Sequence, residues 1–198
     1  MLEKALEHST ENISKLSGKT AITVDVSGSM DSPISFKSSV RCLDIGLLLG
    51  VIAAKICDDS IFLTFANEVF KQTISSTGGI ISQMKSIKNL GGGTSMEKPF
   101  EYLLEKKIKV DRIILLSDNE INSGRDKTVQ SYMDKYRSNV NPDCWIHAID
   151  LQGYGTQQFI GAKTNIIAGW SEKVFDFIQL AESGIENLTK KIETYICL

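Results

Sequence analysis

Histidine and proline are scarce in this chain of 198 residues, with two and three copies. So few histidines exclude a histidine-rich metal centre and leave little for acid–base chemistry. His8 lies in an amphipathic stretch. His147 lies inside an apolar run, where a hydrogen-bonded structural histidine is expected. The four cysteines, Cys42, Cys57, Cys144 and Cys197, form no C-x-x-C pair, so zinc spacing is absent. Their apolar surroundings predict buried thiols and a reducing, cytoplasmic compartment. No apolar run approaches the roughly 20 residues of a membrane span. Glu3, Glu7 and His8 occupy the place where a secretory signal would be apolar. A net charge of −2 gives no bulk attraction for nucleic acid or anionic membrane.

Catalytic signatures are missing too. There is no G-x-S-x-G elbow and no G-x-x-x-x-G-K-[ST] phosphate loop. A magnesium-dependent phosphohydrolase built on Asp25 would want a second acid two residues on, where Ser27 stands. The chain is therefore not expected to be an enzyme.

What is present is a regular alternation of apolar runs. Residues 2 to 16 place Leu2, Ala5, Leu6, Ile13 and Leu16 on a helical stripe, and residues 19 to 26 form an apolar strand. A greasy helix is expected over 37 to 57, then strands at 61 to 65 and 69 to 72 joined by a tight turn. Helical segments at 80 to 89, 100 to 106, 126 to 140 and 171 to 183 alternate with strands at 111 to 117, 145 to 151 and 165 to 168. Ile185, Leu188, Ile192 and Ile196 give a final amphipathic stripe. The pattern predicts an α/β domain with a mainly parallel sheet, helices on both faces and one antiparallel edge strand. Residues 1–18 are assigned to a helix packing on or linking to the domain, and residues 19–198 to the domain itself.

In such sheets ligands gather at the carboxyl ends of the strands. There the chain carries Asp25, Ser27 and Ser29, spaced by two so that they face one way as the strand ends. Asp118 ends a later strand, and Thr94 follows the run Gly91-Gly92-Gly93. Three hydroxyls and two carboxylates, with no nitrogen or sulfur, suit a hard divalent ion: Mg2+, or alternatively Mn2+ or Ca2+. Two negative charges against two positive ones leave room for one more anionic oxygen, such as a partner's carboxylate. Asp31, Asn119, Glu120, Tyr154 and Thr156 are placed on the rim, with Asp31 and Glu120 adding negative charge. Thr94 and Glu97 could instead form a helix capping box, but Pro99 favours a later helix start.

Asp25-Val-Ser27-Gly-Ser29, Gly-Gly-Thr94 and Ser-Asp118 together resemble the metal-ion-dependent adhesion site (MIDAS) of von Willebrand factor A domains. The pieces Gly92-Gly-Thr-Ser95 and Ser117-Asp-Asn-Glu120 look most like the C-terminal A domain of the Ro (TROVE) ribonucleoproteins. The resemblance implies a Rossmann-like fold and a metal-dependent binding module. It implies a protein partner offering a carboxylate, and a Ro-type helical-repeat ring with its small non-coding RNA. Direct binding of structured RNA is the alternative, through Lys106, Lys107, Lys109, Lys190 and Lys191.

Overall fold

The computed structural model describes residues 2–119, 126–153 and 160–184. Six strands form one sheet: β1 (Leu16–Asp25), β2 (Cys57–Phe65), β3 (Val69–Gln72), β4 (Arg112–Ser117), β5 (Trp145–Asp150) and β6 (Thr164–Ala168). Their order across the sheet is β3-β2-β1-β4-β5-β6. All neighbours are parallel except β2 and β3, so the antiparallel strand lies at an edge as expected. The strand order reverses beside β1, which places a crevice between the carboxyl ends of β1 and β4.

Two buried layers sandwich the sheet. Ile22, Val24, Ile114 and Leu116 face α2 (Cys42–Ile56), α3 (Ile80–Ser86) and α6 (Lys173–Glu182). Leu63, Ile113, Leu115 and Ile146 face α4 (Glu97–Glu105) and α5 (Asp126–Asn139). Alternating side chains of one strand thus feed opposite layers, which explains why β1 and β4 are apolar on both sides. Gly50 lets α2 lie close on the sheet, since a Cβ there would sit 2.8 Å from Val24 Cγ2.

Several boundaries differ from the periodicity. The first helix, α1, is Leu2–Thr10, and Leu16 already belongs to β1, paired with Cys57. A strand partner wins there over a helical stripe. Glu3 ties α1 to the domain by accepting the Ile81 backbone N–H at the start of α3, at 2.9 Å. Helix α2 begins at Cys42, not near residue 37, because the Asp44 carboxylate accepts the Arg41 backbone N–H at its start, at 2.9 Å. Helix α4 begins at Glu97 after Met96, which leaves Pro99 in its first turn and Thr94 outside it. The stripe from Ile185 to Ile196, with Cys197, lies outside the described residues.

Cys42 and Cys144 are buried and Cys57 is half-buried. Among the described residues no helix is long and apolar enough to cross a membrane. His147 is fully buried, with Nε2 3.0 Å from Glu182 and Nδ1 3.1 Å from the Asn165 amide.

Candidate functional site

Strand β1 ends at Asp25, and the chain turns at once into a short 3-10 turn, Gly28–Asp31. The Asp25 carboxylate directs this turn: Oδ1 accepts the Ser27 backbone N–H at 2.8 Å. Its other oxygen accepts the Ser117 hydroxyl at 2.8 Å, across from the end of β4. Ser27 Oγ and Ser29 Oγ lie 3.2 Å apart and share a hydrogen bond. The Thr94 hydroxyl donates to Ser27 Oγ at 2.9 Å, from a residue 67 positions away in sequence. Asp25, Ser27, Ser29 and Thr94 therefore form one connected group.

The loop bearing Thr94 is held by backbone bonds to the same turn. Leu90 N–H donates to Val26 carbonyl at 3.3 Å, and Gly28 N–H donates to Gly92 carbonyl at 3.1 Å. Gly92 has φ +82°, and a Cβ on it would sit 2.8 Å from the Asn67 amide. Gly92 is thus favoured by its left-handed backbone and by close approach, and Gly91, with φ +65° and open space around it, by its backbone alone.

Asp118 follows β4 and is buried, as is Asn119. Asn119 has φ 58°, a left-handed turn that asparagine tolerates. Ser117 Oγ, while donating to Asp25, accepts the Asn119 N–H at 3.0 Å. One hydroxyl therefore fixes both the Asp25 carboxylate and the turn that carries Asp118. Ser117 precedes Asp118 in the motif, and its neighbours in sequence assign it no role. The pairing of Val24 with Leu116 sets Asp25 beside Ser117, and only the tertiary register supplies that adjacency.

Electrostatics make this end of the sheet unusual. Burial pushes the Asp25 carboxyl from 3.8 up to about 6; the charge on Asp118 adds to the rise, and the Ser27 and Ser117 hydrogen bonds oppose it. No cationic side chain among the described residues acts on Asp25. The donor set is hydroxyl and carboxylate oxygen, which fits a hard divalent cation, and such an ion would offset the buried charge of Asp25. Among the described residues no cluster of three or more His, Cys, Asp or Glu side chains could hold a metal. A site here rests on hydroxyls as much as on acids.

The rim differs from expectation at Asp31. Arg41 donates to its Oδ1 at 2.8 Å and the Asn89 amide to its Oδ2, so its negative charge is offset. The Asn119 backbone N–H bonds Ser117 Oγ, which itself donates to Asp25. Glu120, Tyr154 and Thr156 lie outside the described residues.

A family model described as the Ro60 vWA domain matches residues 19–149. A search of curated proteins returned no match. Among solved structures, the Ro (RSR) protein of Deinococcus radiodurans superposes with a TM-score of 0.74 at 16% identity. That match covers 90% of this chain but 37% of the Deinococcus protein, so the chain spans well under half of its length. An aerotolerance-related membrane protein from Bacteroides fragilis matches at TM-score 0.54 and 16% identity, over 81% of this chain and 96% of that one. Proximal thread matrix protein 1 from the mussel byssus matches at 0.52 and 11%, over 85% and 48%. At these identities the structures speak for the fold, while the family model covers about two thirds of the chain, from within β1 through β4. The chain belongs to the Ro60 vWA domain family.

Proposed function

We propose that this chain is a divalent-metal-dependent binding module of a Ro-type ribonucleoprotein or a relative of one, and that it performs no catalysis. Asp25, Ser27, Ser29, Thr94 and Asp118 would hold the cation, Mg2+ or in its place Mn2+ or Ca2+. The observation that carries this reading is the chain of hydroxyls from Thr94 through Ser27 to Ser29, set against buried Asp25, which forms no ion pair among the described residues. A bound cation supplies a position for one further anionic oxygen, and a carboxylate of a protein partner is the group that fits it. Asp25 orients the turn, Ser117 orients Asp25, and Thr94 closes the site from the glycine loop. A helical-repeat ring and its small non-coding RNA are the larger assembly in which such a contact would operate.

Metal alone tests the site. Ligand present at about one hundred times its dissociation constant stabilises a folded protein by about 2.7 kcal/mol. Thermal melts in millimolar MgCl2 or MnCl2 should therefore rise above those in chelator, and Asp25→Ala or Asp118→Ala should abolish the rise. A wild-type melting temperature indifferent to both metals would overturn the assignment.

A further inference from the structure

Three glycines precede Thr94, and glycine loses more conformational freedom on ordering than any other residue. The Thr94 hydroxyl nevertheless meets Ser27 Oγ, so the loop must be fixed where it starts. Residues 89–94 are stitched to residues 26–31 in several ways. Two are backbone bonds that most sequences could make, Leu90 to Val26 and Gly28 to Gly92. Another joins Thr94 to Ser27, both of them proposed ligands. A further tie is made by side chains that are not proposed ligands: Asn89 Nδ2 donates to Asp31 Oδ2.

Asn89 uses both ends of its amide. Its Oδ1 accepts the Gly91 N–H at 2.9 Å, a local turn that sets how the chain enters the glycines. Its Nδ2 reaches Asp31, which closes the 3-10 turn carrying Ser29. Asp31 is itself held from the other side. Its Oδ1 accepts Arg41 Nη1 at 2.8 Å, and Arg41 Nη2 donates to Asp44 in the first turn of α2 at 2.7 Å. One oxygen of Asp31 therefore faces α2 and the other faces the glycine loop.

The Asp31 and Arg41 side chains are 50% and 43% exposed, so their pairing adds little to overall stability. Its consequence lies in what it aligns. We propose that Asn89 is a positioning residue of the metal site: by bridging Gly91 to Asp31 it sets the Thr94 loop against the Ser27–Ser29 turn, so that hydroxyls from both segments are already gathered when a cation binds. Asn89 bonds Asp31 and Gly91, neither of them a proposed ligand, and acts through them. This rests on the metal-dependent reading above, and it adds the source of the site's preorganisation. A binding group held in place beforehand spares the entropy of ordering it on binding.

The probe is Mn2+, titrated into the whole chain and followed by the electron-spin signal of the free ion. Asn89→Ser keeps an oxygen for the Gly91 N–H, has no amide to donate to Asp31, and changes no charge. It should weaken Mn2+ about fivefold, the scale of one hydrogen bond's net worth. Its melting temperature in chelator should stay close to wild type. In an Asp31→Ala background the same substitution should cost nothing further, since the tie is already broken. In chelator, the Gly28 amide, which is bonded to the Gly92 carbonyl, should exchange with deuterium faster in Asn89→Ser than in wild type. Unchanged Mn2+ affinity, an equal loss in both backgrounds, or unchanged Gly28 exchange would overturn the role of Asn89 while leaving the metal reading in place. A wild-type chain that takes up no Mn2+ would overturn the metal reading, and this inference with it.

Discussion

A buried carboxylate and a half-buried one lie toward opposite ends of the same sheet and are treated in opposite ways. At the carboxyl end, Asp25 is satisfied by a backbone N–H and a hydroxyl, and burial drives its proton affinity up to about 6. Toward the amino end, Glu182 from α6 meets Arg112 in a two-pronged pair, both contacts 2.7 Å, and meets His147 at 3.0 Å. Burial would raise Glu182 as well, but the Arg112 and His147 hydrogen bonds outweigh it and hold the carboxyl below its usual 4.5. Arg112 also donates to the Ser17 carbonyl and the Thr20 hydroxyl, tying α6 to β1. One acid thus has its countercharge built in, and the other has only dipoles. A fold that can bury an arginine beside one carboxylate, and sets no cation among the described residues beside the other, separates a structural tie from a place where a cation can be received.

The largest effect should come from breaking the tie. Arg112→Ala would strand Glu182 and His147 in the interior and should cost about 3 to 5 kcal/mol in urea unfolding. A loss below about 1 kcal/mol would show that the pair is not the anchor of α6.

The pH dependence should have opposite signs at the two ends. In chelator, the folded protein keeps the Asp25 proton up to about pH 6, whereas the unfolded chain releases it near 3.8. Stability from this group is greatest in acid and falls as pH rises through that window. Glu182 behaves in reverse: its stabilisation is present above pH 4.5 and is lost as pH falls below it. Unfolding free energies measured across this range should show the Asp25 slope vanish in Asp25→Asn, a change of about 3 kcal/mol at most by the usual 1.36 kcal/mol per pKa unit. Glu182→Gln should be destabilising near neutrality and approach wild type in acid. Slopes of the same sign would collapse the contrast.

The smallest effect concerns the hydroxyl that serves both Asp25 and Asn119. Ser117→Ala should cost about 1 to 3 kcal/mol, the range for a hydrogen bond lost from a buried group. It should also reduce the magnesium-dependent melting shift without abolishing it, since Ser117 positions a proposed ligand and is not one. An unchanged shift would remove Ser117 from the site.

Much of this was legible in the residues. The alternation of apolar runs announced an α/β sheet because buried parallel strands need both faces apolar. The spacing of Asp25, Ser27 and Ser29 announced a shared direction because extended chain repeats every two residues. Element ends were less legible. Leu16 fits a helical stripe as well as a strand, and only Cys57 lying beside it decides for β1. Asp31 looked like spare negative charge because its neutralising partners, Arg41 and Asn89, come from other segments.

By itself, then, the sequence determined local things: which stretches are strands, which residue types stand at strand ends, and which family motif they compose. The tertiary structure decided what those residues meet. The order β2-β1-β4 sets Ser117 against Asp25, the glycine loop brings the Thr94 hydroxyl to Ser27, and Arg112 reaches Glu182 but not Asp25. Periodicity is a property of neighbouring residues, whereas a carboxylate's charge state depends on everything within a few ångströms, most of it distant in sequence.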